Sequence, residues 1–327
     1  MFQNQKKMQK IRQEWKGKNI ARISDVNLSQ ILDLFSVASN MEQMVLNNGC
    51  CNVAHGKLLI TMFYEPSTRT STSFRAAMLR LGGKIINISD IKSSSVSKGE
   101  TLEDTMKCLQ CYSDALVIRH PQKGTPDRII NALSATENPI PILNAGDGSG
   151  EHPTQALLDL FTIYKEKKHK INGLTITFVG DLKYGRTVHS LVPALLLFAN
   201  VKFNFVSPKE LQIPSYIKQK FGTNVCVNES MDLSDAILGE TDVMYVTRIQ
   251  KERFKSLEDY QKVKGCFVID CDVLKRCKAE MIIMHPLPRV DEIAVEVDKD
   301  DRAVYFKQME YGMYVRMALL ALVLGVY

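Results

Sequence analysis

Four consecutive residues, Ser67-Thr68-Arg69-Thr70, carry three hydroxyls and a guanidinium where an apolar run gives way to a segment of helical period. A helix starting there turns its first free N–H groups and the positive end of its dipole toward an anion. The hydroxyls add short donors, and Arg69 can grip a phosphate through two bonds. The pattern reads as a phosphate cradle, the plainer alternative being an N-cap made by Ser67 or Thr68. The second half of the chain echoes it: Phe178-Val179-Gly180-Asp181-Leu182-Lys183-Tyr184-Gly185-Arg186-Thr187 also runs from a strand into a helix start bearing an Arg-Thr pair. Two more arginines, Arg119 and Arg248, end apolar runs. In open α/β sheets the ligand crevice lies beyond the carboxyl ends of the strands, so these four arginines could converge on one cleft. Four cations imply a heavily anionic ligand set.

Three other loops carry chemistry. Asn144 to Gln155 follows a strand and opens a helix; its glycines are spaced G-x-G-x-G, not as the dinucleotide fingerprint, and no acidic residue suits the ribose. Pro153 fits a first helical turn and leaves His152 at the helix N-terminus, where the dipole disfavours imidazolium and a neutral ring can donate to a carbonyl oxygen, although a lone His at such a turn also serves as a cap. Ser89 to Glu100 is polar, with a capping box expected over Ser97 to Glu100; it reads as a solvated loop or as a lid that brings Lys98 to an anion. His285-Pro286-Leu287-Pro288-Arg289 is a rigid turn whose Pro286 and Leu287 carbonyls could accept from an amine.

The elements that must position these groups alternate between strand-length apolar runs and helix-period segments, the sign of an α/β fold with parallel sheets. Strands are expected near Leu58 to Phe63, Lys84 to Ile88, Ala115 to Ile118 and Ile140 to Asn144, then near Thr175 to Val179, Lys202 to Val206, Asp242 to Thr247 and Met281 to Met284. Ser67 to Leu81 and Tyr305 to Leu324 read as helices. A length of 327 residues suggests two domains, and without a Pro-rich or Gly/Ser-rich linker the boundary falls on a helix beginning soon after Gly150.

Composition narrows the class. A hydrophobic share of 45% and a charged share of 24% fit an ordinary soluble chain. The net charge of +6, without long basic runs, points to anionic small molecules and away from nucleic acid. The apolar stretch Ala318 to Val326 is too short to span a bilayer and suits a buried helix, so no membrane role is expected. Eight cysteines without a secretory signal suggest a reducing compartment, and the lone pair Cys108 and Cys111 lacks partners for a zinc site. With no metal-binding spacing and no Walker loop, neither a metal nor a cofactor is expected. Lys6, Lys7, Lys10 and Arg12 mark the start as a frayed basic arm.

Together these motifs resemble the aspartate transcarbamoylase family, catalytic chain, from about Ile20 to the C-terminus. The resemblance rests on Phe63-Tyr64-Glu65-Pro66-Ser67-Thr68-Arg69-Thr70, Arg119-His120-Pro121, His152-Pro153-Thr154-Gln155, Asp181 to Thr187, Thr247-Arg248-Ile249-Gln250 and His285 to Glu292. The first two regions and the His-Pro-x-Gln core are shared with ornithine transcarbamoylases, so they speak for carbamoyl phosphate. Acceptor choice rests elsewhere: the late turn reads His285-Pro286-Leu287-Pro288 where the ornithine enzymes have a Cys, and Ser230-Met231 is followed by Asp232 where they have Gly. Arg248 and Gln250 suit an acidic acceptor by charge. Ser71 and Arg75 depart from many relatives.

The resemblance implies two parallel-sheet α/β domains flanked by helices: residues 1–150, rejoined by a C-terminal helix over 305–327, for carbamoyl phosphate, and residues 151–304 for aspartate. It implies that Ser67, Thr68, Arg69 and Thr70 hold the phosphate, that Thr70, Arg119 and His152 face the carbonyl oxygen, and that Gln155 binds the carbamoyl amine. Arg186 would take the α-carboxylate of aspartate, Arg248, Gln250 and Lys98 the β-carboxylate, and the carbonyls of Pro286 and Leu287 the amines. A homotrimer is implied in which Ser94 and Lys98 enter the neighbour's site, with domain closure on substrate. The expected activity is aspartate carbamoyltransferase in pyrimidine synthesis, the alternatives being another acceptor such as ornithine or a catalytically silent trimeric scaffold. A cytoplasmic setting is expected; regulatory or pathway partner chains and an upstream targeting extension stay open.

Overall fold

A computed structural model of the chain describes residues 2–88, 99–254 and 256–327, leaving aside the side chains of residues 2–7 and 252. The backbone divides into two compact units, Met1–Leu158 with Tyr311–Tyr327, and Asp159–Glu310.

The first unit contains α1 (Phe2–Trp15), α2 (Leu28–Asn48), β1 (Leu58–Phe63), α3 (Thr68–Arg80), β2 (Lys84–Ile88), α4 (Leu102–Gln110), β3 (Ala115–His120), α5 (Thr125–Ser134), β4 (Ile142–Asp147) and the start of α6 (Pro153–Glu166). Its four strands are parallel, in the order β2-β1-β3-β4. The inner strands are apolar on both faces because helices cover both, as parallel sheets require. Ile60, Met62, Leu116, Ile118 and Ile142 pack with Met106 of α4 and with Ile129 and Leu133 of α5. The edge strand β2 has only exposed and half-buried residues, and its Ile86 is 42% exposed.

The second unit follows with β5 (Thr175–Val179), α7 (Arg186–Leu195), β6 (Lys202–Val206), α8 (Ser215–Lys218), β7 (Val227–Ser230), α9 (Asp235–Glu240), β8 (Val243–Val246), α10 (Leu257–Val263), α11 (Cys271–Lys275), β9 (Ile282–Met284) and the start of α12 (Tyr305–Val323). Its sheet is also parallel, in the order β7-β6-β5-β8-β9. Val179, Val206, Met244, Val246 and Ile283 form one core layer with Ile237, Leu238, Ile269 and Leu274. On the sheet itself, Phe178 stacks on Phe205 at 5.6 Å.

The α/β class with two parallel sheets is as expected, and the eight anticipated strands fall within a few residues of their expected bounds. Two local readings are corrected. The N-terminal segment is helical over Phe2–Trp15, since Ile11 and Trp15, one turn apart, are both buried. A ninth strand, β7, pairs with β6; its Val-Asn-Glu-Ser sequence gave no apolar signal because it lies at the sheet edge, where side chains stay wet. The cap of α4 is Thr101, whose hydroxyl accepts from Asp104 N at 3.1 Å; Ser97, with which the expected capping box begins, lies outside the described residues. From the middle of α12 to just past its end, Val315 to Leu324 are all buried, apart from Arg316 all apolar, which explains that run; among the described residues no helix is long and apolar enough to cross a membrane.

Each sheet has one point where the chain turns from building in one direction to building in the other. In the first unit it lies between β1 and β3, in the second between β5 and β8. Loops from the two strand ends diverge there and leave a crevice at the carboxyl edge.

Candidate active site

At the first switch point, Phe63 and Arg119 are register partners, and Tyr64 N donates to Arg119 O at 2.9 Å. The loop 64–67 therefore leaves β1 beside the end of β3 and enters α3 at once. Ser67 is the N-cap residue, yet its hydroxyl makes no capping bond, and α3 has no acid in its first turn. The plain-cap reading of Ser67 fails, and the helix start keeps its positive end. Thr68 and Arg69 are exposed there while Thr70 is buried. Ser67 Oγ instead accepts from Arg119 Nη1 at 3.4 Å, and Arg119 Nε donates to Glu65 at 3.2 Å. Arg119 is thus aimed across the helix start by an acid of the same loop.

The next strand, β4, delivers His152 and Gln155. Asp147 organises the turn: its Oδ1 accepts from Glu151 N at 2.7 Å and its Oδ2 from Gly124 N at 2.7 Å. The glycines answer to this packing. A Cβ on Gly150 would lie 2.5 Å from the Asp147 carboxylate, and one on Gly148 only 2.0 Å from Pro121 O. Pro153 is the first residue of α6, and His152 before it is buried, accepting from the N–H groups of Gln155 and Ala156 through its carbonyl. Gln155 is buried in the first helical turn. Nearby His120 accepts from Gln122 N at 3.0 Å and packs edge-on to Tyr64; burial first of all holds it below the ordinary histidine range.

The second switch point repeats the plan with different parts. Gly180 follows β5 with a φ of 110°, and a Cβ there would sit 2.3 Å from Thr247 O, so only glycine lets the two loops approach so closely. Thr247 donates its hydroxyl to Val179 O and Asp181 O at 3.0 and 3.2 Å. Asp181 Oδ1 accepts from Tyr184 N at 2.9 Å, and main-chain N–H groups of Lys183 and Gln250 also reach this carboxylate. Burial nevertheless dominates and pushes the group up to about 6; Oδ2 is buried with no hydrogen-bond partner. Gly185 precedes Arg186, the first residue of α7. One turn later His189 donates from Nε2 to Leu182 O at 2.9 Å and accepts at Nδ1 from Tyr216, which fixes the loop feeding Arg186. Half-buried Arg248 and Gln250 follow β8.

Strand β9 leads into His285, fully buried, whose Nδ1 accepts from Leu287 N at 2.8 Å while Nε2 faces Glu292 at 2.7 Å. Burial pulls the Glu292 carboxyl up, but the bond and charge of His285 outweigh it and leave the group below the usual range. Leu287 has a φ of 57°, a backbone conformation that a residue with a side chain seldom adopts, and so the chain bends sharply where it leaves the strand. Arg289 anchors the far side of the turn on Asp298 and on the Tyr305 hydroxyl.

The structure therefore brings Ser67, Thr68, Arg69, Thr70, Arg119, His152 and Gln155 to adjacent strand ends of one sheet, and Arg186, Arg248, Gln250, Pro286 and Leu287 to adjacent strand ends of the other. Ser94 and Lys98 lie outside the described residues. Sequence reasoning gave no role to Glu65, Asp181 or Thr247; Asp181, directly after a buried strand and a glycine, was the one with a visible signal. Among the described residues no three His, Cys, Asp or Glu side chains are grouped as metal ligands.

Residues 18–165 match the description "Aspartate/ornithine carbamoyltransferase, carbamoyl-P binding domain", and residues 172–323 match "Aspartate/ornithine carbamoyltransferase, Asp/Orn binding domain". This chain belongs to the aspartate/ornithine carbamoyltransferase family. The two matches fall one on each sheet. The aspartate carbamoyltransferase catalytic subunit of Thermoplasma acidophilum is 48% identical over 95% of this chain and 99% of its own length. The multifunctional protein pyr-3 of Neurospora crassa is 54% identical over 89% of the chain, which spans 16% of that protein. The structure is similar to the crystal structure of aspartate transcarbamoylase from Trypanosoma cruzi in complex with carbamoyl phosphate and aspartate, with a TM-score of 0.87 and 43% identity over 94% of this chain and 97% of that one.

Proposed function

We propose that this family member is an aspartate carbamoyltransferase, transferring the carbamoyl group of carbamoyl phosphate to L-aspartate to give N-carbamoyl-L-aspartate and phosphate in pyrimidine biosynthesis. The observation that carries this reading is the duplicated switch point. One sheet offers an uncapped helix start with hydroxyls and Arg69 for a phosphate, and the other offers Arg186 and Arg248 for an acceptor bearing carboxylates. An ornithine side chain would bring an ammonium toward those arginines, which charge disfavours.

In this reading Ser67, Thr68, Arg69 and Thr70 hold the phosphate, and Gln155 takes the carbamoyl amine. Thr70, Arg119 and His152 donate to the carbonyl oxygen as it gains charge, where fixed donors contribute most. Arg186 holds the α-carboxylate, Arg248 and Gln250 the β-carboxylate, and the Pro286 and Leu287 carbonyls orient the amines. The uncharged amine of aspartate forms the new C–N bond, the bond from carbon to the bridging phosphate oxygen breaks, and the amine proton passes to a phosphate oxygen. Catalysis is then mostly positioning. The test is product formation from carbamoyl phosphate with L-aspartate and L-ornithine offered in parallel. Carbamoyl-aspartate alone, lost in Arg69→Ala, is expected; citrulline would overturn the acceptor assignment, and neither product would favour a silent scaffold.

The same reading includes a homotrimer in which Ser94 and Lys98 serve the neighbouring site, Lys98 adding to the hold on the β-carboxylate. What supports self-association is the open edge of β2 and the exposed apolar side chains of Leu79, Ile86 and Tyr112 on the first unit. Mixing inactive Arg69→Ala and Lys98→Ala chains should recover activity through hybrid sites; no recovery would refute sharing. A cytoplasmic setting suits the eight free cysteines.

A further inference from the structure

Asp159 on α6 is completely buried and is used by neither substrate in the proposed reaction. It lies in the run Ala156-Leu157-Leu158-Asp159-Leu160-Phe161, where any apolar residue would pack without the cost of taking a carboxylate out of water. Short bonds from two buried partners help to hold it. Tyr245 donates its hydroxyl to Oδ2 at 2.7 Å, and Gln308 donates from Nε2 to Oδ1 at 2.6 Å.

Both partners lead onward to the acceptor half-site. Tyr245, fully buried in β8, also takes a hydrogen bond from the side chain of Thr187, the residue next to Arg186. Burial, together with the neighbouring Asp159 charge, pushes the Tyr245 hydroxyl well above its ordinary range, so it remains a donor. Gln308 is fully buried as well, and its Oε1 accepts from the main-chain N–H of His285 at 3.0 Å, which fixes which way the amide points. His285 in turn holds Leu287 N at 2.8 Å. One carboxylate thus anchors two chains of hydrogen bonds, one ending at the helix start that bears Arg186 and the other at the turn that bears the Pro286 and Leu287 carbonyls.

We propose that Asp159 is a positioning residue that sets Arg186 and the Pro286–Leu287 turn in register for the amino-acid acceptor. This rests on the assignment of the second unit to aspartate. Charge-assisted bonds are shorter and more directional than neutral ones, so the carboxylate fixes two distances that an amide or an apolar residue would leave loose.

The near-isosteric Asp159→Asn chain, with Tyr245→Phe and Gln308→Leu beside it, is purified and compared with wild type by steady-state kinetics, by calorimetric titration of carbamoyl phosphate and by thermal unfolding. Asp159→Asn should raise the KM for aspartate about tenfold and leave the Kd for carbamoyl phosphate within about twofold. The double variant Asp159→Asn with Tyr245→Phe should be no worse than Asp159→Asn alone, since both cut one chain of bonds. A role in packing alone would lower the unfolding temperature and move neither constant, and that result overturns the proposal. Should Asp159→Asn fail to fold, an aspartate KM within about twofold of wild type in both Tyr245→Phe and Gln308→Leu overturns it equally. Wild type that turns over carbamoyl phosphate but not aspartate defeats the parent reading, and this arm separates that failure from failure of the positioning role.

Discussion

The two switch points do the same topological job with opposite means. In the first unit the loop 64–67 is short, and what it offers an anion is its own: hydroxyls, an uncapped helix start, Arg69, and Arg119 drawn across by Glu65. In the second unit the loop 180–185 folds back on itself. Its carboxylate, Asp181, takes N–H groups from both loops and serves as scaffolding. The first pocket is built from donors that point outward and the second from acceptors that point inward. A phosphate, with several oxygens and a high charge, is gripped by local backbone and hydroxyls. An amino-acid acceptor needs its carboxylates and its amine held at fixed separations, which takes a rigid frame of long-range bonds.

The largest expected effects would break this comparison outright if they failed. Arg69→Ala should lower kcat/KM by about a thousandfold, because it removes a bidentate contact to the leaving phosphate, and should weaken carbamoyl phosphate binding measured alone. Arg248→Ala should instead raise the KM for aspartate by about a hundredfold and leave carbamoyl phosphate binding within about twofold. Neither should move the unfolding temperature by more than about 2 °C, as Arg69 is exposed and Arg248 half-buried. If both variants damaged the same substrate constant, the division of labour between the sheets would be wrong.

The same contrast explains what was legible in the sequence. The phosphate cradle is contiguous, strand, loop and helix start within Leu58 to Thr70, so residue order alone exposes it. The arginines ending β3 and β8 were equally readable, because a guanidinium that closes an apolar run falls at the carboxyl edge of a parallel sheet, where ligands bind. The frame of the second unit was not: Gln308 and Asp159 are 149 positions apart, and Tyr245 and Asp159 are 86 apart. No local pattern encodes such pairs. The one available hint was an aspartate set among leucines on a helix, where burial on all sides had to be assumed before the charge became conspicuous. Strand β7 and helix α1 escaped for the converse reason, being too polar to announce a buried face.

Acid titration sharpens the comparison from the side of stability. Burial raises Asp181 from an ordinary 3.8 to about 6. The folded chain therefore binds this proton more tightly than the unfolded chain, and the stability due to Asp181 is fully present below the ordinary value and lost as pH rises toward about 6. The loss amounts to about 3 kcal/mol. Glu292, held below its usual range, acts in the opposite direction, its contribution being lost only as pH falls through that lowered value. Asp181→Asn should accordingly flatten the fall in urea midpoint between about pH 4 and 6 while leaving the acid-side loss in place. An unchanged slope in Asp181→Asn would mean that this carboxylate is hydrated or relaxed and that the inward frame is not built on it.

The smallest effect discriminates best between a helix start made to bind and one made to hold. Asn27 caps α2 by accepting from Gln30 N at 2.9 Å, and Gln30 returns the bond to Asn27 N at 3.2 Å. Asn27→Ala should cost about 1 kcal/mol, lowering the unfolding temperature by about 2 °C with kinetics intact. Ser67 occupies the same position on α3 but its hydroxyl satisfies no N–H of the helix. Ser67→Ala should leave the unfolding temperature within about 1 °C and weaken carbamoyl phosphate binding about tenfold, because the lost donor served the ligand and not the fold. Were the two alanine variants equally destabilised, with carbamoyl phosphate affinity unmoved in both, Ser67 would be an ordinary cap, and the outward-facing character of the first switch point would rest on Arg69 alone.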